Sequence, residues 1–109
     1  MSILNAPPGF LEKAGTVPSG AIVSQEPVLS HIIQVFINSS QQLETEIDRL
    51  APLVTEGGML WITYPKLTSR FKGDIHRDTI NEFAQSRGWT GIAIISIDED
   101  WSALRLKRL

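Results

Sequence analysis

Residues 57–66 read Gly-Gly-Met-Leu-Trp-Ile-Thr-Tyr-Pro-Lys, and this segment decides the fold. Nearly every position from Met59 to Tyr64 is apolar, aromatic or β-branched. The glycine pair is expected to end the preceding segment, and Pro65 ends the apolar run itself. A short apolar run with these limits predicts a strand buried on both faces, in the middle of an open sheet. Such a strand needs helices above and below it.

Length and composition indicate a single domain. The chain has 109 residues, of which 42% are apolar and 20% charged, which suits one hydrophobic core. A net charge of −2 gives no reason to expect binding to nucleic acid or to an anionic membrane. The absence of cysteine excludes disulfides and thiolate metal sites. Because the start is unlike a signal peptide and no apolar run could span a membrane, we expect a soluble, cytoplasmic protein.

The remaining sequence predicts the element order β-α-β-β-α-β-α-β-β. Short strands are expected over 2–6 and 21–23, on either side of a short helix over 8–13, and a stronger strand over 31–37. Helices are predicted over 40–53 and 74–87. The first has Ser39 as its N-cap with Gln42 closing a capping box, and the second has Asp74 as its N-cap. Residues 89–97 and 101–107 each contain a strand.

The acidic turn Asp98–Asp100 is too short for anything but a hairpin, so the last strand must be antiparallel to its neighbour. We therefore predict one small Rossmann-like three-layer α/β domain over residues 1–109, with a mostly parallel sheet and an antiparallel C-terminal hairpin strand. One link is short for a parallel crossover. Between Val23 and His31, either the strand over 21–23 is marginal or an extended segment replaces the helix.

Three motifs resemble a family of small bacterial proteins described only as a domain of unknown function. The first motif is Leu-Asn-Ala-Pro at residues 4–7, followed by Gly9 and Phe10. The second is Gly-Met-Leu-Trp at residues 58–61 with Tyr-Pro-Lys at residues 64–66. The third and most specific is Ser-Ile-Asp at residues 96–98 with Trp-Ser-Ala-Leu-Arg at residues 101–105. The similarity covers essentially the whole chain and implies no activity.

A looser resemblance is to Rossmann-type methyltransferases that use S-adenosylmethionine. Residues 50–64 and 92–106 are similar to the closing half of that fold, with its helix, Gly-Gly turn, strands and final antiparallel strand. In those enzymes the first strand opens into a glycine-rich loop that admits the cofactor. Here the loop reads Asn-Ala-Pro-Pro-Gly at residues 5–9, with one glycine and two rigid prolines, and Glu26 is the nearest candidate for the ribose-binding acid. The resemblance thus implies the fold, and no bound cofactor is expected.

No motif for metal binding or nucleophilic catalysis is found in the sequence. His76 lies on the apolar stripe of its predicted helix, which favours a packing or capping role. His31 opens a strand without a recognisable partner. Ser102 lies within a strand and has no base near it in sequence, so it is interpreted as structural. We therefore expect no catalytic residue and no metal.

Polar side chains follow the ends of three predicted strands. Asn5 follows the first strand and Asn38 the third. Tyr64 and Lys66 close the central strand, and Arg77 approaches from the helix after it. Ligands bind at the carboxyl ends of parallel strands in open α/β sheets, so these residues are the predicted ligand site. A positive rim of Lys66 and Arg77 favours a small anionic ligand, whereas the competing interpretation makes Lys66 a solvated loop cation.

Asp98, Trp101 and Arg105 form a secondary candidate patch. Trp101 and Arg105 lie four residues apart on one strand, so they share a face and suit a cation–π pair. Exposure of Trp89 or Trp101 would indicate a protein partner instead.

These observations predict a non-catalytic binding or interaction module on a reduced methyltransferase-like fold. The alternative is a minimal S-adenosylmethionine-dependent enzyme with an unusual cofactor loop. A third class, the structural subunit of a homo-oligomer, is favoured if the last strand is an uncovered sheet edge.

Overall fold

The computed structural model of the protein describes residues 2–4, 22–23, 29–69 and 73–109. Its strands are β1 (Ser2–Leu4), β2 (Ile22–Val23), β3 (Ser30–Phe36), β4 (Val54–Pro65), β5 (Trp89–Ser96) and β6 (Trp101–Arg108). Its helices are α1 (Ser40–Leu50), which continues into a 3-10 turn (Ala51–Leu53), and α2 (Arg77–Ser86). The helix predicted over 8–13 lies outside the described residues. Neither described helix has the length or the apolar composition needed to cross a bilayer.

The strands form one six-stranded sheet in the order β2-β1-β3-β4-β6-β5. β1 pairs in parallel with β2 and β3, and β3 pairs in parallel with β4. β6 is antiparallel to both of its neighbours, β4 and β5, so the sheet is mixed and the predicted antiparallel hairpin is confirmed. The last strand is not an edge, because β6 lies between β4 and β5. The edge on that side is β5.

Both described helices pack on the same face of the sheet. Alternate residues of the strands point to this face, as the two-residue period of a strand requires. They share one buried cluster with the apolar stripes of the two helices, and its members include Ile33, Val35, Leu60, Ile62, Leu104 and Leu106 from the strands and Leu43, Ile47, Leu50, Ile80 and Ala84 from the helices. The described residues therefore place two layers, and the predicted third layer is not tested by them.

The prediction that β4 is buried on both faces is confirmed for its second half. Ile62 and Thr63 are fully buried and Tyr64 is 7% exposed, although these consecutive side chains alternate between the two faces. Thr63 receives a hydrogen bond from Gln34 Nε2 at 3.0 Å on the face opposite the helices. β4 is an interior strand, because β3 and β6 flank it on either side. Its first half is less buried, since Glu56 and Gly57 are exposed.

The glycine pair does not end the preceding segment as predicted, because β4 already begins at Val54. Ser30 pairs with Val54, whereas Ile32 pairs with Met59, so β4 carries extra residues that form a bulge. Gly57 supplies the backbone for this bulge with a φ of +77°, a conformation that other residues seldom adopt.

The N-cap of one of the two helices differs from the sequence prediction. Ser39 is the N-cap of α1, as predicted, and accepts a hydrogen bond from the Gln42 amide at 3.1 Å. Asp74, however, is not the N-cap of α2, which begins at Arg77 after His76. The Asp74 carboxylate instead accepts hydrogen bonds from the Ser40 amide and the Ser40 hydroxyl, both at 2.7 Å. These bonds lower the pKa of Asp74, and they tie the loop before α2 to the start of α1.

Candidate functional site

A cavity of about 520 Å³ lies where β4 ends, between the first turn of α2 and the paired strands β5 and β6. This size is typical of small-molecule sites. Its lining combines cationic, phenolic, hydroxyl and apolar side chains: Tyr64, Lys66, Leu67, Thr68, His76, Arg77, Asp78, Ile94 and Ser102. Three of the predicted site residues thus lie together at the carboxyl end of β4: Tyr64, Lys66 and Arg77.

Tyr64 lies at the base of this cavity. It pairs with Ser102 across β4 and β6, and its side chain belongs to the buried cluster beneath the helices. Burial raises the pKa of the Tyr64 phenol above its ordinary value of 10.0; the positive charge of Arg77 lowers the pKa and the negative charge of Asp78 raises it, both to a smaller extent. The phenol is therefore neutral at physiological pH and can donate a hydrogen bond into the cavity.

Tyr64 is the only tyrosine of the chain, so its titration can be followed directly by the absorbance of tyrosinate. We expect a midpoint above that of free tyrosine in the folded protein. The phenol proton then contributes to the free energy of unfolding. This contribution is fully present below the pKa of the phenol in the unfolded protein and is lost as the pH rises through its pKa in the folded protein. Arg77→Gln should raise the midpoint further and Asp78→Asn should lower it. A midpoint that neither substitution moves would contradict the placement of the phenol beside this pair.

Lys66 is held against the β5–β6 hairpin. Its ammonium Nζ donates to the Ser96 hydroxyl at 2.6 Å, and its backbone amide donates to the Asp100 carbonyl at 2.8 Å. The side chain is half-buried. An ammonium group carries three protons, so the bond to Ser96 leaves donors for a ligand while it fixes the position of the charge.

Arg77 and Asp78 stand next to each other at the start of α2. Arg77 Nε lies 3.4 Å from an oxygen of Asp78, with the two side chains 64% and 77% exposed. The positive rim predicted from Lys66 and Arg77 therefore includes a carboxylate. Lys66, Arg77 and Asp78 together carry one net positive charge, so a monoanion matches them better than a multiply charged ligand.

The two asparagines of the predicted site are placed differently. Asn38 follows β3 and is exposed; its backbone amide donates to Gln42 Oε1 at 2.9 Å, and it is not among the residues that line the cavity. Asn5 lies outside the described residues.

The secondary candidate patch does not assemble as expected. The Asp98 carboxylate accepts hydrogen bonds from the amides of Asp100 and Trp101 at 2.8 and 2.9 Å, which shapes the hairpin turn. Trp101 is 8% exposed and packs edge-on against Phe36, with ring centroids 5.2 Å apart. Trp89 is also buried, so neither tryptophan offers the exposed surface that would indicate a protein partner.

Arg105 lies over the ring of Trp61, 5.6 Å from its centroid, rather than over Trp101. The reason is the register, because Trp61 is the cross-strand partner of Arg105 on β4. A strand neighbour lies closer than a residue four positions along the same strand.

Sequence reasoning did not select Ser96, Asp78 or Ile94 as site residues. The hairpin register could have found Ser96, since it is paired with Ser102, and Ser102 with Tyr64. Ser96 therefore faces the same side as Tyr64, within reach of a lysine that leaves β4. Asp78 lies in the first turn of α2, and nothing in its sequence spacing shows that it borders a cavity.

The fold is similar to that of the ribosomal protein L11 methylase of Lactobacillus delbrueckii subsp. bulgaricus, with a TM-score of 0.54 at 14% sequence identity. The alignment covers 81% of this chain and 44% of the methylase, so the chain spans less than half of that protein's length. Neither a scan against protein-family models nor a search of curated proteins finds a match. The likeness shows the fold alone: a mixed α/β domain that resembles a methyltransferase domain. The resemblance to a small bacterial family stays a prediction.

Proposed function

We propose that this chain is a binding module that holds a small anionic ligand in the cavity at the carboxyl end of β4. The observation that carries the proposal is the convergence of an ammonium, a guanidinium and a neutral phenol on one cavity, from residues Lys66, Arg77 and Tyr64. These groups are hydrogen-bond donors, and two of them are cationic. A carboxylate complements them in charge and can accept the hydrogen bonds that these groups donate.

The proposal assigns no catalytic step to the module. Two groups in the lining could act as a general base: the His76 imidazole, which is exposed and hydrogen-bonded to the Thr79 hydroxyl, and the Asp78 carboxylate, which is largely exposed and paired with Arg77. Both groups are exposed to solvent, whereas a general base is usually desolvated enough to shift its pKa toward the working pH. The described lining therefore supports binding more directly than chemistry.

The alternative function is a minimal S-adenosylmethionine-dependent methyltransferase, which the fold similarity favours. The sequence that follows β1 argues against it, because Pro7 and Pro8 stand where such enzymes have flexible glycines. We expect no S-adenosylmethionine binding tighter than about 1 mM, or about −4 kcal/mol, in calorimetric titrations. A micromolar dissociation constant would replace the binding-module proposal with the enzyme.

Propionate and inorganic phosphate are suitable probes for the anion site. We expect saturable binding with a dissociation constant on the order of 1 mM. Lys66→Ala should weaken binding about tenfold, the loss of one charge-assisted hydrogen bond. Lys107→Ala removes an exposed lysine near the other end of β6 and is the matched control, so it should leave the affinity unchanged. Equal losses in the two variants would mean that only the overall charge of the protein attracts the probe.

A further inference from the structure

A second cavity of about 360 Å³ continues the site along the sheet. It is lined by Arg77, Asp78, Asn81, Gly91, Ala93, Ile94 and Leu104. Arg77, Asp78 and Ile94 also line the first cavity, so the two form one groove between α2 and the edge strand β5. The groove runs from Lys66 at the carboxyl end of β4 toward Gly91.

The strand residues that line the floor of the second cavity, Gly91, Ala93, Ile94 and Leu104, have no polar side chains, whereas the cavity's polar lining residues come from α2. Ile94 is 41% exposed at the junction of the two cavities, and Leu104 lies beside it as its cross-strand partner. Asn81 Oδ1 already has a hydrogen-bond partner, because it accepts from the Gly91 amide at 2.9 Å. An alkyl chain lying on this floor would cover Ile94 without displacing a described hydrogen bond.

We propose that the ligand of this groove is an amphiphilic monoanion, with its carboxylate head at Lys66 and Arg77 and a short apolar chain lying over Ile94 toward Gly91. This inference rests on the proposed anion site and specifies the class of ligand that the site takes. Charge complementarity fixes the orientation of the ligand. The head belongs at the end with Lys66, and the Asp78 carboxylate at the junction disfavours a second negative charge farther along the chain.

The test is the affinity of the protein for propionate, hexanoate and octanoate, each kept below the concentration at which it forms micelles. Each methylene that lies on the groove floor should tighten binding by about twofold, because an open groove covers only part of each group. From propionate to hexanoate, the affinity should therefore rise by about tenfold. Ile94→Ser should reduce this gain to about twofold, measured as the ratio of the hexanoate affinity to the propionate affinity in the same variant.

Ile95 offers a matched control on the same strand. It is 45% exposed, against 41% for Ile94, and pairs with Ala103, so it lies on the opposite face of the sheet. Ile95→Ser should keep the full dependence on chain length, and denaturation midpoints of both variants show that they are folded. Hexylamine, which has the same chain and a cationic head, should bind at least about tenfold more weakly than hexanoate.

The outcomes separate this inference from the proposed function. If propionate binds at Lys66 but hexanoate binds no tighter, the anion site stands and the amphiphilic ligand is excluded. If none of the anions binds, both proposals fail. Equal binding of hexylamine and hexanoate, or equal losses in the Ile94 and Ile95 variants, would show unspecific association with the exposed β5 edge and would overturn the inference.

Discussion

Ile62→Ala is expected to lower the free energy of unfolding by roughly 2–5 kcal/mol, the usual cost of removing a large side chain from a close-packed core. Ile62 is fully buried on the interior strand β4, where it pairs with Val35 on one side and Leu104 on the other. The alanine would leave a cavity between the sheet and the helices. Leu60→Ala, two residues earlier on the same face, should cost a similar amount.

Chemical denaturation of both variants measures this loss. Met59→Ala is the control, because Met59 is half-buried on the same strand, and it should cost clearly less than either core substitution. A loss of only a few tenths of a kcal/mol for Ile62→Ala or Leu60→Ala would mean that β4 is not the centre of the core.

Gly58→Ala is expected to destabilise the protein by about 3 kcal/mol, at the upper end of the usual cost of overpacking. A Cβ atom at Gly58 would lie 2.3 Å from the backbone oxygen of His31 and 2.8 Å from that of Thr55. Both obstacles are backbone atoms, so the clash cannot be relieved by a side-chain rotation. The bulge between β3 and β4 would have to open.

Gly57→Ala separates this steric effect from backbone strain. A Cβ atom at Gly57 meets only a side-chain atom of His31 at 4.0 Å, but the residue has a φ of +77°. Its replacement should cost about 1–2 kcal/mol, the penalty of the left-handed conformation alone. If Gly58→Ala cost no more than Gly57→Ala, the close approach of β3 to the bulge would be refuted.

Local sequence patterns predicted the centre of this fold well. The apolar run from Met59 to Tyr64, the helical stripe of α1 and the short acidic turn each determine an element from its own residues. Contacts between residues that are distant in sequence were harder to predict. Glutamate is a residue type that is seldom buried, yet Glu46 is 8% exposed and lies 2.5 Å from Arg49. Asp74 is a residue type that favours a local N-cap, but its carboxylate binds Ser40 at the start of the other helix, a contact that depends on how two loops meet in space.

In the candidate site, too, the features that follow from local sequence were predictable and the long-range contacts were not. Tyr64, Lys66 and Arg77 converge because the carboxyl end of an interior strand and the start of the next helix must meet at one edge of the sheet. Lys66 then finds Ser96, and Arg105 finds Trp61, through the register of β6. The strand patterns alone do not specify the register of β6, because it depends on the hairpin turn and on which strand inserts between β4 and β5.

Chemical-shift mapping with propionate is the most direct test of a ligand site at the carboxyl end of β4. It locates the bound anion on the protein residue by residue. We predict saturable shifts that cluster at Tyr64, Lys66 and Arg77 and that disappear in Lys66→Ala but persist in Lys107→Ala. Shifts scattered over the surface, or centred on Trp101 and Arg105, would contradict the assignment of the ligand site to the carboxyl end of β4.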